Sequence, residues 1–256
     1  MNKKLSLLVV GSGGTGTYFL KEISRYLANK DKGLLAQYVI IDGDVIERKN
    51  LSRQAFDVED IGRNKAETMA EVLNDCFDLK WKAYCEYIFD VKQLDQLMSK
   101  CSSSIPVIIG CVDNHGCRMI LEDFFMKSEN CIYFDAANEE KAGECVFSAM
   151  VGGTVISPTR SYFFPDMLRE DLRGRDEIGC EELNRSAPQH ILANMTSGLQ
   201  LLSAFVQLYE NGVVPTGYTV YDVFRYMNKG YTASQCKWKP TRKEDCKWRS
   251  NMMKVS

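Results

Sequence analysis

The apolar run Leu5, Leu7, Leu8, Val9 and Val10 breaks directly into Gly11-Ser12-Gly13-Gly14-Thr15-Gly16, and this junction constrains the fold more than any other stretch. An apolar run of that length reads as a buried parallel strand. Gly11 then permits a tight turn, Gly13 lets backbone approach an anionic ligand, and Gly16 lets the following helix pack closely on the strand. Residues 15 to 28 continue as that helix, with Phe19, Leu20, Ile23 and Leu27 at helical spacing. Its first amides and its dipole suit a phosphate chain. Asp42 ends the next apolar run, Tyr38 to Ile41, and is placed to accept from ribose hydroxyls. A glycine turn with no ligand is the alternative reading of this loop on its own.

Strand and helix patterns keep alternating through the first half. Strands are expected at 5–10, 38–41, 81–86, 107–111 and 132–135, with helices near 65–75, 91–100 and 118–126 between them. That order predicts an α/β fold with a Rossmann-like, doubly wound sheet that is parallel in its N-terminal half. After Asp135 the extended run Gly143 to Val151 and the turn Gly152-Gly153 predict that the sheet becomes mixed in the C-terminal half. The densely charged stretch from Pro165 to Arg185 reads as a surface loop or crossover. Ser186 is the expected cap of the next helix, and Tyr218 to Phe224 reads as a further strand. The expected division is one domain over 1–231, with a nucleotide-binding half at about 1–135 and a mixed-sheet and crossover half at about 136–231. Residues 232–256, with seven Lys or Arg against two acids, follow as a basic tail. That tail reads as a solvated terminal segment or as a holder for an acidic partner surface.

With 256 residues and 45% hydrophobic content the chain can bury a large core. A net charge of −2 and the lack of an uninterrupted apolar run of about 18 residues point to no membrane span and no general nucleic-acid binding. Residues 1–10 lead straight into the first strand without resembling a signal peptide, so the expected location is cytoplasmic. The ten cysteines include no CxxC pair, which favours reduced, mostly buried thiols over a disulfide framework or a paired-cysteine zinc site.

Beyond the glycine loop, three further segments carry chemistry. The first is Asp42-Gly43-Asp44-Val45-Ile46-Glu47 followed by Asn50-Leu51-Ser52-Arg53-Gln54, which supplies cationic and amide side chains that dinucleotide binding does not need. The second is Gly62-Arg63-Asn64-Lys65, and the third is Asp113-Asn114-His115-Gly116-Cys117-Arg118 at the end of an apolar strand, where an open α/β sheet places ligands. In this order the four segments resemble the ThiF/MoeB/HesA superfamily, bacterial relatives of ubiquitin-activating enzymes. The resemblance is clear over about residues 5–150 and thins afterwards.

The resemblance implies ATP-dependent adenylation of a C-terminal carboxylate, on a small ubiquitin-like or sulfur-carrier protein or a peptide, with release of pyrophosphate. It implies ATP and magnesium as cofactors and a homodimer as the assembly. Gly11, Gly13, Gly14, Gly16, Asp42, Asp44, Asn50, Arg53, Gln54, Lys65 and Asp113 would bind the nucleotide. Among these, Arg53 and Lys65 would contact the triphosphate, Asn50 and Gln54 would orient it, Asp42 would hold the ribose, and Asp113 would bind magnesium. These residue types suit a reaction in which charge builds on the α-phosphate and on the departing pyrophosphate.

Some relatives pass the acyl group to a cysteine. Cys180, in Gly179-Cys180-Glu181-Glu182, is the candidate nucleophile or else an ordinary cysteine, and its acidic neighbours oppose thiolate formation unless Arg185 or a helix dipole offsets them. The run to Asn194, with Gln189, resembles the plasmid- and phage-associated members. Asn114 and Arg118 either support Asp113 or cap and salt-bridge, His115 reads as a surface residue, and Cys111 as core packing. The chain departs from many adenylating members in starting on its first strand, without the helical extension that carries an arginine, and in lacking CxxC zinc motifs. The alternative function is therefore a weak or inactive scaffold subunit that binds a protein partner. An NAD-dependent oxidoreductase fits less well, since hydride transfer leaves Asn50, Arg53 and Gln54 without a role.

Overall fold

A computed structural model describes residues 3–30, 32–165, 189–246 and 248. Strand β1 (Leu5–Val10) is buried at every position because it lies mid-sheet, between β2 (Leu35–Ile41) and β4 (Ile105–Gly110), both parallel to it. β3 (Lys82–Tyr84) pairs outside β2, and β5 (Cys131–Asn138) pairs outside β4, so the parallel part runs β3-β2-β1-β4-β5. The chain moves outward from β1 in one direction and then returns to its other side, leaving a crevice at that reversal where such sheets bind ligands.

Register decides which loops share that crevice. Val10 is aligned with Ile41 on one side and with Gly110 on the other, so the segments starting at Gly11, Asp42 and Cys111 leave the sheet at the same edge.

Helices cover both faces. On one side α1 (Gly14–Ala28) and α2 (Lys65–Phe77) pack with Leu7, Val9 and Ile40; on the other α3 (Val91–Ser99) and α4 (His115–Lys127) pack with Leu8, Val10 and Ile108. Alternate residues of β1 thus feed opposite cores, as strand geometry requires.

The sheet turns antiparallel at β6 (Ala142–Val151), which pairs along β5 and presents its other edge to β7 (Thr154–Ser157) and to β8 (Gly217–Asp222). β9 (Met227–Tyr231) extends β8. After β7 comes the short α5 (Arg160–Phe163), and α6 (Ile191–Asn211) packs along α1 and over β5 and β6. Among the described residues α6 is the one helix long and apolar enough, by length and composition, to cross a membrane. Its Leu201, Phe205 and Leu208 are buried in the core shared with α1.

One expectation needs correction. The cap of α6 is His190, whose Nδ1 accepts from the Leu192 amide at 3.2 Å, and not Ser186, which lies outside the described residues. In the described part of the basic segment, β10 (Thr241–Arg242) pairs antiparallel with β7, and Trp238 and Trp248 pack edge-on around Tyr162 with ring centres 5.0 and 5.8 Å away, while Lys237, Lys239 and Arg242 stay exposed. Trp238 Nε1 also donates to the Val155 carbonyl at 3.3 Å.

Candidate nucleotide site

The glycine loop is shaped by packing as much as by turn chemistry. Gly11 takes φ +92°, and a Cβ there would meet the Cys111 carbonyl oxygen at 2.7 Å; a Cβ on Gly16 would fall 2.0 Å from the Gly11 carbonyl oxygen. Gly13 is different, since the nearest atom a Cβ would meet is Gln54 Nε2 at 3.7 Å. As N-cap of α1 it offers no side-chain acceptor, so the first amides of α1 remain available to an anion.

Asp42 stands beside this loop, with one carboxylate oxygen receiving the Ser12 amide at 2.7 Å and the Ser12 hydroxyl at 3.0 Å and the other receiving the Asp44 amide at 2.9 Å. Burial raises its pKa, and the nearby Lys65 ammonium opposes that rise. Lys65 begins α2 after Asn64, which caps the helix and donates to the carbonyls of Asp42 and Asp44 at 3.0 and 3.1 Å. Lys65 Nζ sits 2.9 Å from Asp44 Oδ2 with its side chain only 7% exposed, and the Tyr87 hydroxyl reaches the other Asp44 oxygen. The cation expected at the triphosphate is thus held by an internal carboxylate.

Asn50 builds the next segment. Its Oδ1 accepts from the Glu47 amide at 2.9 Å, and its carbonyl accepts from the amides of Arg53 and Gln54 at 3.1 and 2.9 Å, so it shapes the turn that presents both residues. Gln54 is buried beside Gly13, and its Oε1 meets no partner among the described residues. Arg53 Nη1 donates to Gln189 Oε1 at 2.9 Å. Burial lowers the Arg53 pKa and the carboxylate of Asp113 counters it, which puts the two within electrostatic reach.

Asp113 is exposed on the loop after β4. Behind it Asn114 caps α4 by accepting from the Cys117 amide at 2.8 Å, while Arg118 is buried and donates to the carbonyls of Val112 and Ala136 at 2.5 and 3.2 Å. Arg118 also pairs with Asp135 at 3.4 Å, and Asp135 bonds in turn to Arg160 from α5. Cap and ion pair therefore account for Asn114 and Arg118, and Arg118 additionally braces the backbone next to Asp113. His115 opens α4, partly buried. Burial pushes the Cys111 thiol well up, as suits a packing residue. Cys180, with Glu181, Glu182 and Arg185, lies outside the described residues.

Four loops converge here: the glycine loop, Asp42 to Asp44, Arg53-Gln54, and the Asp113 loop. Helix amides and Arg53 suit phosphate, and Asp42 suits a ribose. A single exposed carboxylate suits magnesium, which is commonly held by one or two carboxylates together with substrate phosphates. No grouping of three or more His, Cys, Asp or Glu side chains fit for a metal occurs among the described residues, at this site or elsewhere. Sequence reasoning gave no part to Ser12, Tyr87, Thr15 or Asn138. Polar residues of these types carry no motif signal of their own, and only the register of β1, β2, β3 and β5 brings them here.

Solved structures share this fold at low identity. The crystal structure of PaaA matches with 15% identity and a TM-score of 0.59, over 91% of this chain and 64% of that one. E. coli MccB with ATP matches with 14% identity, a TM-score of 0.64 and the same coverage. The microcin C7 biosynthetic enzyme MccB in complex with N-formylated MccA matches with 15% identity and a TM-score of 0.65, over 91% of this chain and 65% of that one. The chain thus spans about two thirds of the length of these structures, slightly less in each case. The model of the ThiF family matches residues 2–159, more than half of the sequence, so the chain belongs to the ThiF family.

Proposed function

We propose that this protein adenylates the C-terminal carboxylate of a peptide or a small ubiquitin-like or sulfur-carrier protein, using ATP. The observation that carries the reading is the convergence of Arg53, Gln54, Asp42 and Asp113 on the start of α1, where Gln54 adjoins Gly13 and Arg53 is coupled to Asp113. In the proposed reaction a substrate carboxylate oxygen attacks the α-phosphorus, the bond to the bridging oxygen of pyrophosphate breaks, and an acyl-adenylate forms. The α1 amides would hold phosphate oxygens and Arg53 would offset the charge that grows on them. Asp42 would orient the ribose. Magnesium, held at Asp113, would supply further charge neutralisation when bound. Lys65 would have to exchange Asp44 for phosphate.

MccB is described with ATP and with the peptide MccA, which supports a nucleotide and a peptide partner here. A subsequent transfer to Cys180 belongs to the proposal, as does a homodimer. The exposed Leu192, Met195 and Leu199 on α6 give an apolar face that a partner could cover. Unpaired thiols at Cys76, Cys85 and Cys131 support a cytoplasmic setting. The second reading, a scaffold subunit, draws on the Lys65–Asp44 pair, which neutralises a cation the chemistry would need.

ATP–pyrophosphate exchange tests the choice. The enzyme reading expects exchange that depends on a partner with a free C-terminal carboxylate, that disappears when this carboxylate is amidated, and that is lost in Asp113→Ala. Tight ATP binding without exchange, across candidate peptides and ubiquitin-like proteins, would favour the scaffold. Loss of a thiol-labile thioester conjugate, formed with release of AMP, in Cys180→Ser would support Cys180 as acceptor, and its persistence would remove it.

A further inference from the structure

Asn194 lies at the start of α6, fully buried against the first residue of α1. Its Oδ1 accepts from Asn138 Nδ2 at 2.7 Å, and Asn138 Oδ1 accepts from the Thr15 hydroxyl at 3.0 Å. In this relay from α1 to β5 to α6 the Asn194 oxygen is taken up by Asn138. With Oδ1 committed to Asn138, Nδ2 is turned toward Gly14, so closely that a Cβ on Gly14 would stand 2.2 Å from it. Nδ2 meets no acceptor among the described residues. Gly14 itself has no positive φ, so its lack of a side chain serves the approach of Asn194 and not the turn.

A primary amide nitrogen can only donate, and a buried donor without an acceptor is costly. Gly14 is also the first residue of α1, whose opening amides carry no side-chain cap and suit an anion. We infer that Asn194 Nδ2 donates to a phosphate oxygen of the bound nucleotide, making Asn194 a nucleotide-binding residue contributed by the C-terminal half. The inference rests on the nucleotide reading above. It explains two features together: an oriented amide with an unused donor, and a glycine whose backbone conformation does not demand one.

Calorimetric titration of the full chain with ATP and magnesium, alongside NMR titration with adenosine, provides the test. Asn194→Ala removes the donor, and Asn194→Asp keeps an oxygen for Asn138 while replacing the donor with a carboxylate oxygen. Loss of one charge-assisted hydrogen bond predicts ATP binding about ten- to a hundredfold weaker in Asn194→Ala, and weaker still in Asn194→Asp at pH 8, with adenosine binding unchanged. Lowering the pH should restore ATP binding to Asn194→Asp, because a protonated carboxyl can donate again, with no matching gain in the wild type. If Asn194→Ala does not fold, Asn194→Asp and its pH profile decide the matter. Unchanged ATP affinity in the variants would overturn the inference, and so would an equal loss of ATP and adenosine, which marks a packing role. A wild-type chain that binds no ATP overturns the nucleotide reading itself, so the two failures are distinct.

Discussion

The parallel and antiparallel halves of the sheet serve the site by different means. β1, β2 and β4 are buried nearly throughout, run in one direction, and release three loops at one edge. In the antiparallel half β9 is exposed at four of its five residues, and that half reaches the site through single side chains. Gln189 meets Arg53, Asn194 adjoins Gly14, and Arg160 with Glu144 anchors Asp135 behind the Asp113 loop. Parallel strands supply backbone geometry that recurs as a motif, whereas the antiparallel half supplies braces that depend on the finished fold.

This contrast breaks most visibly at Asp135, where the halves share charge. Its side chain is 1% exposed between Arg118 and Arg160, so Asp135→Asn would leave guanidinium charge under-compensated in the interior. The expected loss is about 3–5 kcal/mol, a fall of roughly 6–20 °C in Tm for a chain of this size, read by thermal melting. A change under about 1 kcal/mol would mean that water or a neighbour replaces the lost charge.

Asp113→Ala sharpens the other side of the comparison. Because Asp113 is exposed, Tm should stay within a degree or two, while substrate-dependent pyrophosphate exchange should drop by about 10²–10³; chelation of magnesium should mimic it. Parallel loss of Tm would make Asp113 a structural residue.

Gly16→Ala tests whether backbone packing sets the glycine loop. Its Cβ would collide with the Gly11 carbonyl, and the expected destabilisation is about 1–3 kcal/mol, measured by urea unfolding. Asn114→Ala should cost about 1 kcal/mol through loss of the α4 cap, without the activity loss of Asp113→Ala.

The smallest effect concerns pH. Burial raises the folded-state pKa of Asp42 above its unfolded value, so the folded state holds that proton more tightly. Stability from this group is therefore greatest below the unfolded pKa and declines as pH rises toward and through the folded pKa. Asp42→Asn should flatten that decline, and identical pH profiles of Tm for wild type and variant would contradict it.

The parallel half was legible because its signals are local. Apolar runs marked β1, β2 and β4, helical spacing marked α1, and the glycine loop fell where expected, since strand, turn and helix start are contiguous in sequence. The C-terminal segment was less legible: its lysines and arginines mark a solvated tail or a partner-holding one, whereas the aromatic contacts of Trp238 and Trp248 with Tyr162 span residues far apart in sequence and leave no local signal. The start of α6 was misplaced for a related reason, since His190 satisfies the local requirement of an acceptor before the helix.

By itself the sequence determined an α/β fold and the residue types of a candidate phosphate site, because periodicity and short motifs encode backbone geometry over neighbouring residues. The tertiary structure alone decided that Lys65 rests on Asp44, that Arg53 bonds to Gln189, and that Asn194 turns its amide nitrogen toward Gly14. Those pairings depend on strand register and on α6 packing against α1, and such contacts between distant residues leave no periodic trace in the chain.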